Sequence, residues 1–277
     1  MKIAITGAGG FIGSRIRNRF KDHVIIQRNH TTGDVVRIIR QADVVINLAG
    51  APIIKRWTNP YKQVLRQSRL STTAKVARAL NSTDGKRLLI SASATGIYPQ
   101  GKACDETCHH HADDFLGKLA ADWEAEALKY RGPVAIFRLG MVLGPEGGAL
   151  SKMLLPFRLG MGGSIGSGRM MMSWIDAEDL MDVFAFVMER GLSGIFNAVS
   201  PHPVSNREFT QCLAKALRRP AFLPVPPLIL RLLYGQAASV MTGSWEVYPA
   251  RLLMMGYEFR YPDLSASLDH LLAGKSR

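Results

Sequence analysis

The residues best placed to do chemistry lie near the start of the chain. Thr6-Gly7-Ala8-Gly9-Gly10-Phe11-Ile12-Gly13 sets glycines at 7, 10 and 13, after the apolar run Ile3-Ala4-Ile5 and before a helical stretch. Between a strand and a helix, that spacing makes a phosphate cradle. Gly7 permits a tight turn. Gly10 lets backbone approach a pyrophosphate that a side chain would block, and Gly13 lets the helix pack on the strand. The helix N-terminus, with the amides of Phe11, Ile12 and Gly13, presents free N–H groups and a partial positive charge to the anion.

The next strand selects the dinucleotide. An NAD site usually has a carboxylate about 20 residues on, for the ribose 2′-hydroxyl. Here His23 to Gln27 is the strand, and it ends in Gln27-Arg28-Asn29 without a carboxylate. A guanidinium suits a 2′-phosphate and stacks on adenine. The expectation is NADP rather than NAD. The alternative is that Arg28 is an uncommitted surface arginine.

The elements that must position these groups alternate along the chain. Apolar runs at 2–6, 23–27, 44–49, 87–93 and 133–139 read as strands. Helical stretches at 11–20, 60–80 and 113–130 lie between them. The connection from Asn29 to Asp43 is short, so one element there is missing or stunted. Strands alternating with helices imply parallel pairing with helices on both faces. Residues 140–170, rich in glycine and methionine, read as loops. A helix follows from Ala177 to Glu189 and a strand from Gly194 to Ala198. Ser205, with Glu208 three residues on, starts another helix through a capping box. The four prolines between Pro220 and Pro227 demand an extended path. The fold class expected is α/β: a Rossmann-type doubly wound parallel sheet with a small C-terminal substrate lobe. Residues 1–150 with 172–200 form the NADP-binding domain, and 151–171 with 201–277 the lobe.

Composition narrows the classes. The 277 residues are 47% hydrophobic and 21% charged, ordinary values for a globular protein with a sizeable core. They exclude a disordered tail, a collagen-like chain and a disulfide-framework toxin. Lysine and arginine exceed aspartate and glutamate by 35 to 22, a net charge of +13 that favours anionic partners. The basic residues form no stripe: Arg15, Arg17, Arg19 and Lys21 step by two and wrap around a helix. Nucleic-acid binding therefore ranks last. Three cysteines without framework spacing suggest a reducing compartment. With no run of 18 apolar residues and no signal-peptide pattern, the expectation is a cytoplasmic protein without a membrane partner.

Further motifs carry a resemblance. After the glycine turn come Ile46 to Pro52, Arg56-Trp57, Ser68-Arg69, Ser91 to Gly96, Asp114-Phe115-Leu116, Asp122-Trp123-Glu124 and Pro156 to Gly160. Gly166 to Arg169, Ser173-Trp174-Ile175, Asn206 to Phe209 and Pro220 to Pro224 follow in order. Over nearly its whole length the chain resembles an atypical subgroup of the extended short-chain dehydrogenase/reductase superfamily, the epimerase family of nucleoside-diphosphate-sugar epimerases. The resemblance implies that Gln27 and Arg28 lie beside the adenosine 2′-phosphate. It implies that Asn47, Leu48 and Ala49 line the cofactor, and that Arg69 and Arg138 stand near it. The alternative for either arginine is a structural salt bridge.

The superfamily's proton chemistry uses a tyrosine with a lysine four residues later on one helix face, plus a serine or threonine that orients the substrate. A phenol needs a nearby cation to titrate toward neutrality. The one literal match, Tyr98 and Lys102, encloses Pro99 and Gly101, which oppose a helix. On the helix that should carry the pair, Phe115 faces Leu119 or Asp114 faces Lys118, and neither register supplies a phenol. Ser93 matches the superfamily serine, with Thr95 as a neighbour. Arg169 is a candidate clamp for a substrate diphosphate or an exposed loop arginine. Asp176 stands where the family usually has histidine. Cys104, Cys108 and His109 to His111 lack the spacing of a zinc site, so no metal is expected. Two functions compete. One is an NADP-dependent oxidoreductase or epimerase-like enzyme acting on a small molecule, with nucleotide sugars as a candidate class. The other is a catalytically silent NADP(H)-binding sensor or regulatory protein.

Overall fold

The computed structural model describes residues 1–273. Its first half runs β1 (Ile3–Thr6), α1 (Phe11–Arg19), β2 (His23–Ile26), α2 (Thr32–Arg40), β3 (Val44–Asn47), α3 (Asn59–Asn81) and β4 (Leu88–Ala94). A 3-10 turn (Thr95–Ile97), β5 (Ala103–Cys104), α4 (Phe115–Ala127) and β6 (Val134–Leu139) complete it. The second half runs β7 (Met141–Gly144), α5 (Gly148–Arg158), β8 (Met171–Met172), β9 (Trp174–Asp176), α6 (Ala177–Glu189), β10 (Gly194–Ala198) and β11 (Val204–Ser205). It ends with α7 (Asn206–Leu217), α8 (Pro227–Tyr234), α9 (Ser239–Thr242), β12 (Glu246–Val247), α10 (Ala250–Met254) and α11 (Leu264–Leu272).

Six strands form one parallel sheet in the order β10-β6-β4-β3-β1-β2. This is the Rossmann-like α/β architecture expected. Alternate strand residues feed opposite faces. Ile3, Ile5, Ile46, Ile90 and Phe137 pack with Phe184 of α6, whereas Ala4, Val45, Leu89 and Ile136 pack with Val76 of α3. The chain winds from β1 to β2 on one side and from β3 onward on the other. That reversal opens a crevice at the carboxyl ends of β1 and β3, where ligands bind in such sheets.

The short Asn29–Asp43 connection contains the nine-residue α2 and no strand, so β2 is the sheet edge. Thr31 and Asp34 start α2 with a reciprocal capping box. The reading of 140–170 as loops is corrected in part. Met141–Gly144 is a strand paired with β9, and Gly148–Arg158 is a helix. Its Leu150, Leu154 and Phe157 recur at helical spacing and are buried, which outweighs the flanking glycines and Pro156. With α7 and α11 they form a second core around Trp174, Phe209 and Leu268. Ser205 caps α7 by accepting the Glu208 amide at 3.1 Å. The proline segment stays extended until α8, and Val225 bridges to Ile165.

Candidate cofactor and substrate site

The glycine turn joins β1 to β3. Gly7 has φ +68°, and a Cβ there would lie 2.6 Å from the Leu48 carbonyl oxygen. A Cβ on Gly13 would strike the Gly7 carbonyl, so both positions require glycine. Gly10 is the N-cap of α1, and its N–H bonds the Gly7 carbonyl at 3.0 Å. The first amides of a helix have no intrahelical acceptor, so those of Phe11, Ile12 and Gly13 are available to an anion. A Cβ on Gly9 would meet nothing within 4 Å, which marks open space at the turn. The Phe11 ring is structural: it lies against Gly144 and Gly147, where no Cβ would fit. Ile12 packs on the core below.

Gln27 and Arg28 are exposed at the end of β2. The Arg28 side chain has no ion-pair partner among the described residues. Leu48 and Ala49 are half-buried beside the turn. Asn47 is fully buried, and its amide is committed internally: Oδ1 accepts from Thr6 at 2.7 Å, and Nδ2 donates to Thr73 at 2.7 Å and Ser91 at 3.2 Å. Its contribution to the crevice is therefore the shape of the strand end. Arg69 lies across Gly50, whose Cβ would come within 3.0 Å of the guanidinium carbon. It donates to the carbonyls of Leu65 and Ala51, both at 3.2 Å, and sits over Trp123. Burial pulls it down to about 10. It stands beside the crevice without a carboxylate partner among the described residues.

Arg138 is different. It is 3% exposed, and its Nε and Nη2 each reach a Glu124 carboxylate oxygen at 2.8 Å. Its Nη1 donates to the Tyr98 hydroxyl at 2.8 Å, and that hydroxyl donates to Asn197 Oδ1 at 2.9 Å. Burial opposes the Arg138 charge, but the Glu124 bond and charge outweigh it, so its pKa is held above the ordinary arginine value. Ser93 is also buried and donates to Glu124 Oε1 at 2.6 Å. Ser93, Arg138 and Asn197 stand in register on β4, β6 and β10. Burial pushes the Tyr98 phenol up to about 12 despite the guanidinium beside it, so near neutrality it stays protonated. Lys102 is exposed, and the chain from Tyr98 to Lys102 is a turn instead of a helix. This pair is structural on one side and solvated on the other.

The register of α4 differs from both expected. Leu116 lies 3.5 Å from a Cβ built on Gly96, Ala120 packs with Ile97 and Tyr98, and Glu124 meets Ser93. Leu116, Ala120 and Glu124 are thus the residues turned to the strand end. Leucine and alanine occupy the two positions, four apart, that could hold a phenol and an ammonium. Glu124, named in the sequence only within the Asp122-Trp123-Glu124 motif, is the residue of this cluster to which motif reading gave no role. The available signal was Arg138 itself, a charge inside an apolar strand that demands a counter-charge.

Beside Leu116 lies a cavity of about 600 Å³, a size suited to a small molecule. Trp57 and Phe115 meet edge to face at 5.1 Å on its wall, with Asp114, Arg231, Gln236 and Ser239 supplying polar groups. The cavity is formed between the Rossmann core and the segment 231–242. Arg169 is exposed in the turn after Gly166 and is not part of this wall. His109 to His111 are exposed, and Cys104 and Cys108 face each other. Among the described residues no three His, Cys, Asp or Glu side chains converge, and no helix is long and apolar enough to cross a membrane.

Residues 225–271 match a domain of unknown function, DUF1731. The chain is 35% identical to the mouse epimerase family protein SDR39U1, covering 99% of this chain and 100% of that one. It is 34% identical to a Staphylococcus aureus epimerase family protein, SA0724, across 97% and 98% of the two chains. A crystal structure of human SDR39U1 with NADPH superimposes with a TM-score of 0.92 at 30% identity, covering 99% and 100%. A dTDP-4-dehydrorhamnose reductase from Bacillus anthracis, at 15% identity and a TM-score of 0.81, shares the fold. Residues 3–198, the stretch holding the glycine turn and the Glu124–Arg138 pair, match the NAD dependent epimerase/dehydratase family, and the chain belongs to it.

Proposed function

We propose that this protein is an NADP(H)-dependent oxidoreductase or epimerase-like enzyme acting on a small molecule in the cavity beside Leu116. The observation that carries the reading is the open glycine turn at the sheet's winding reversal, with exposed Arg28 and no carboxylate at the neighbouring strand tip. The amides of Phe11, Ile12 and Gly13 hold the pyrophosphate, and Arg28 and Gln27 meet the 2′-phosphate. Leu48 and Ala49 shape the crevice, and Arg69 adds a cation at its side. When bound, the nicotinamide supplies or accepts hydride.

The large domain, 1–150 with 172–200, holds the cofactor; the lobe, 151–171 with 201–277, closes on the substrate. Positions 274–277 lie outside the described residues. Trp57, Phe115 and Leu116 favour a substrate with an apolar or planar part, and Arg231 favours an anionic one. A nucleotide sugar combines these features. Ser93 acts by orienting Glu124 and Arg138, since its hydroxyl hydrogen is committed to the carboxylate. Proton transfer falls to solvent: Ser239 and Thr242 donate to backbone carbonyls, and no phenol stands on α4.

A second reading, a catalytically silent NADP(H) sensor, is favoured by Leu116 and Ala120 at the two positions that proton transfer would use. Calorimetric titration with NADPH and NADH tests cofactor binding. Absorbance of the reduced nicotinamide, followed with a panel of nucleotide sugars and apolar carbonyl compounds, separates the two readings. Substrate-dependent turnover supports the enzyme; tight NADPH binding with no turnover supports the sensor. No binding of either cofactor overturns both.

A further inference from the structure

Two thiols that play no part in the site above stand against each other. Cys104 Sγ and Cys108 Sγ are 2.6 Å apart, closer than two unbonded sulfurs rest and within a small shift of the ~2.05 Å disulfide bond. The loop between them is already folded for closure. The Cys108 amide bonds the Asp105 carbonyl at 3.1 Å, and the Thr107 amide bonds Asp105 Oδ1 at 2.8 Å. Cys104 is 4% exposed, whereas Cys108 is partly open to solvent.

The same loop fastens the two halves of the molecule. At its centre, Glu106 accepts from the Asn197 amide of β10 at 2.8 Å and from the Arg251 amide of α10 at 3.2 Å. Cys104 lies on β5, which pairs with β12, and its carbonyl accepts from the Tyr248 amide at 2.9 Å. Asn197 also carries the Tyr98 hydroxyl, one bond from Arg138. A crosslink between residues 104 and 108 would therefore fix the loop joining the sheet to residues 246–251.

We propose that Cys104 and Cys108 are a redox modification site, a dithiol that closes reversibly to a disulfide and locks Glu106 onto Asn197 and Arg251. The co-reactant is a low-molecular-mass disulfide. Solvent-accessible Cys108, as thiolate, attacks one sulfur of that disulfide, and its partner thiolate leaves and takes up a proton. Cys104 then loses its proton and attacks Cys108 Sγ, expelling the second thiolate. The protein dithiol is oxidised by two electrons, and one small disulfide becomes two thiols. Burial and the neighbouring Cys108 push Cys104 up to about 12, which keeps it out of the first attack. Its contact with Cys108 Sγ gives it the second, intramolecular one.

The test uses the folded full-length chain and glutathione disulfide. Both cysteines fall in one tryptic peptide, residues 103–118. The expected result is loss of two hydrogens from that peptide, reversed by dithiothreitol, with Cys212 still free. C104S should accumulate a glutathione adduct on Cys108, and C108S should stay unmodified over the same interval. Amide exchange at Asn197 and Arg251 should slow severalfold in the oxidised chain, and its melting midpoint should rise by about 2–4 °C. A glutathione adduct that persists on Cys108 of the unsubstituted chain, or a peptide that keeps both free thiols, overturns the disulfide. Unchanged exchange at Asn197 and Arg251 in a chain shown to be crosslinked overturns the locking role.

Discussion

Arg138 grips both carboxylate oxygens of Glu124, each at 2.8 Å, with neither side chain more than 7% exposed. Arg138 belongs to β6 and Glu124 to α4, so the bond ties the helix to the sheet at the end where the cofactor crevice opens. Ser93 and Tyr98 fill further hydrogen-bonding positions of the pair. The cluster is thus a satisfied polar network whose members hold one another. The arginine that resemblance places near the cofactor is here the buried partner of Glu124 and Tyr98.

Glu124→Gln should therefore unsettle the chain more than an ordinary surface change. Removing one partner leaves a buried, uncompensated charge and costs about 3–5 kcal/mol. The double variant Glu124→Leu with Arg138→Met should recover most of that, because an apolar pair needs no counter-charge. Denaturant unfolding of the three proteins checks this. A loss under about 1 kcal/mol in E124Q would mean that the pair is hydrated in solution.

The parts legible in the sequence were those with a local signature. Gly7 and Gly13 announce their turn because no other residue fits there, and the strands read as apolar runs between turn residues. What escaped was non-local. Nothing around Glu124 reveals that its carboxylate meets Arg138 and Ser93. The α4 register could not be chosen without seeing that Leu116 faces Gly96. Met141–Gly144 and α5 were hidden by Gly140, Gly144, Gly147 and Gly148, which set turns at the element ends instead of dissolving the elements. The cysteines offered no zinc spacing, and only the folded loop brings their sulfurs together.

The glycine turn makes a paired prediction. Gly13→Ala drives a Cβ into the Gly7 carbonyl, backbone against backbone, so the turn must deform. NADPH affinity should fall at least about tenfold, roughly 1.4 kcal/mol, and the melting midpoint should drop. Gly9→Ala meets nothing of the protein within 4 Å, so its stability should stay within about 0.5 kcal/mol of the parent. Any affinity lost in G9A then reports ligand in that space. Thermal melts with NADPH titrations separate the two effects, and equal behaviour of the two variants would refute the geometry.

On the proposed reading, Arg28 sets the cofactor preference. A charge-assisted bond to a 2′-phosphate is worth about 1.5–3 kcal/mol. Arg28→Ala should weaken NADPH binding about tenfold to a hundredfold and leave NADH binding within about twofold. Arg28→Glu should reverse the preference. Arg69→Met should weaken both cofactors, because its cation lies beside the crevice and not at the strand tip. Parallel weakening of NADPH and NADH by R28A would remove Arg28 from the 2′-phosphate contact.

Asp179 gives the chain a pH dependence of known sign. It is 1% exposed, and burial raises its pKa even though its carboxylate accepts the Arg260 amide at 2.7 Å and the Tyr261 amide at 2.9 Å. Asp176 and Asp182 raise it further. The folded chain therefore binds this proton more tightly than the unfolded chain. Below the unfolded value of about 3.9 both states are protonated. From there up to the raised folded value the folded state holds more protons, so stability falls as pH rises, by at most about 1.4 kcal/mol per pH unit for one group. Asp105 and Asp34 shift the other way, so the whole-chain profile mixes signs. Asp179→Asn removes this one contribution. Unfolding free energies of parent and D179N should diverge in favour of the variant as pH rises through that interval, then run parallel above it. A difference that stays constant across the whole range would show that Asp179 titrates in the folded chain as it does in the unfolded one.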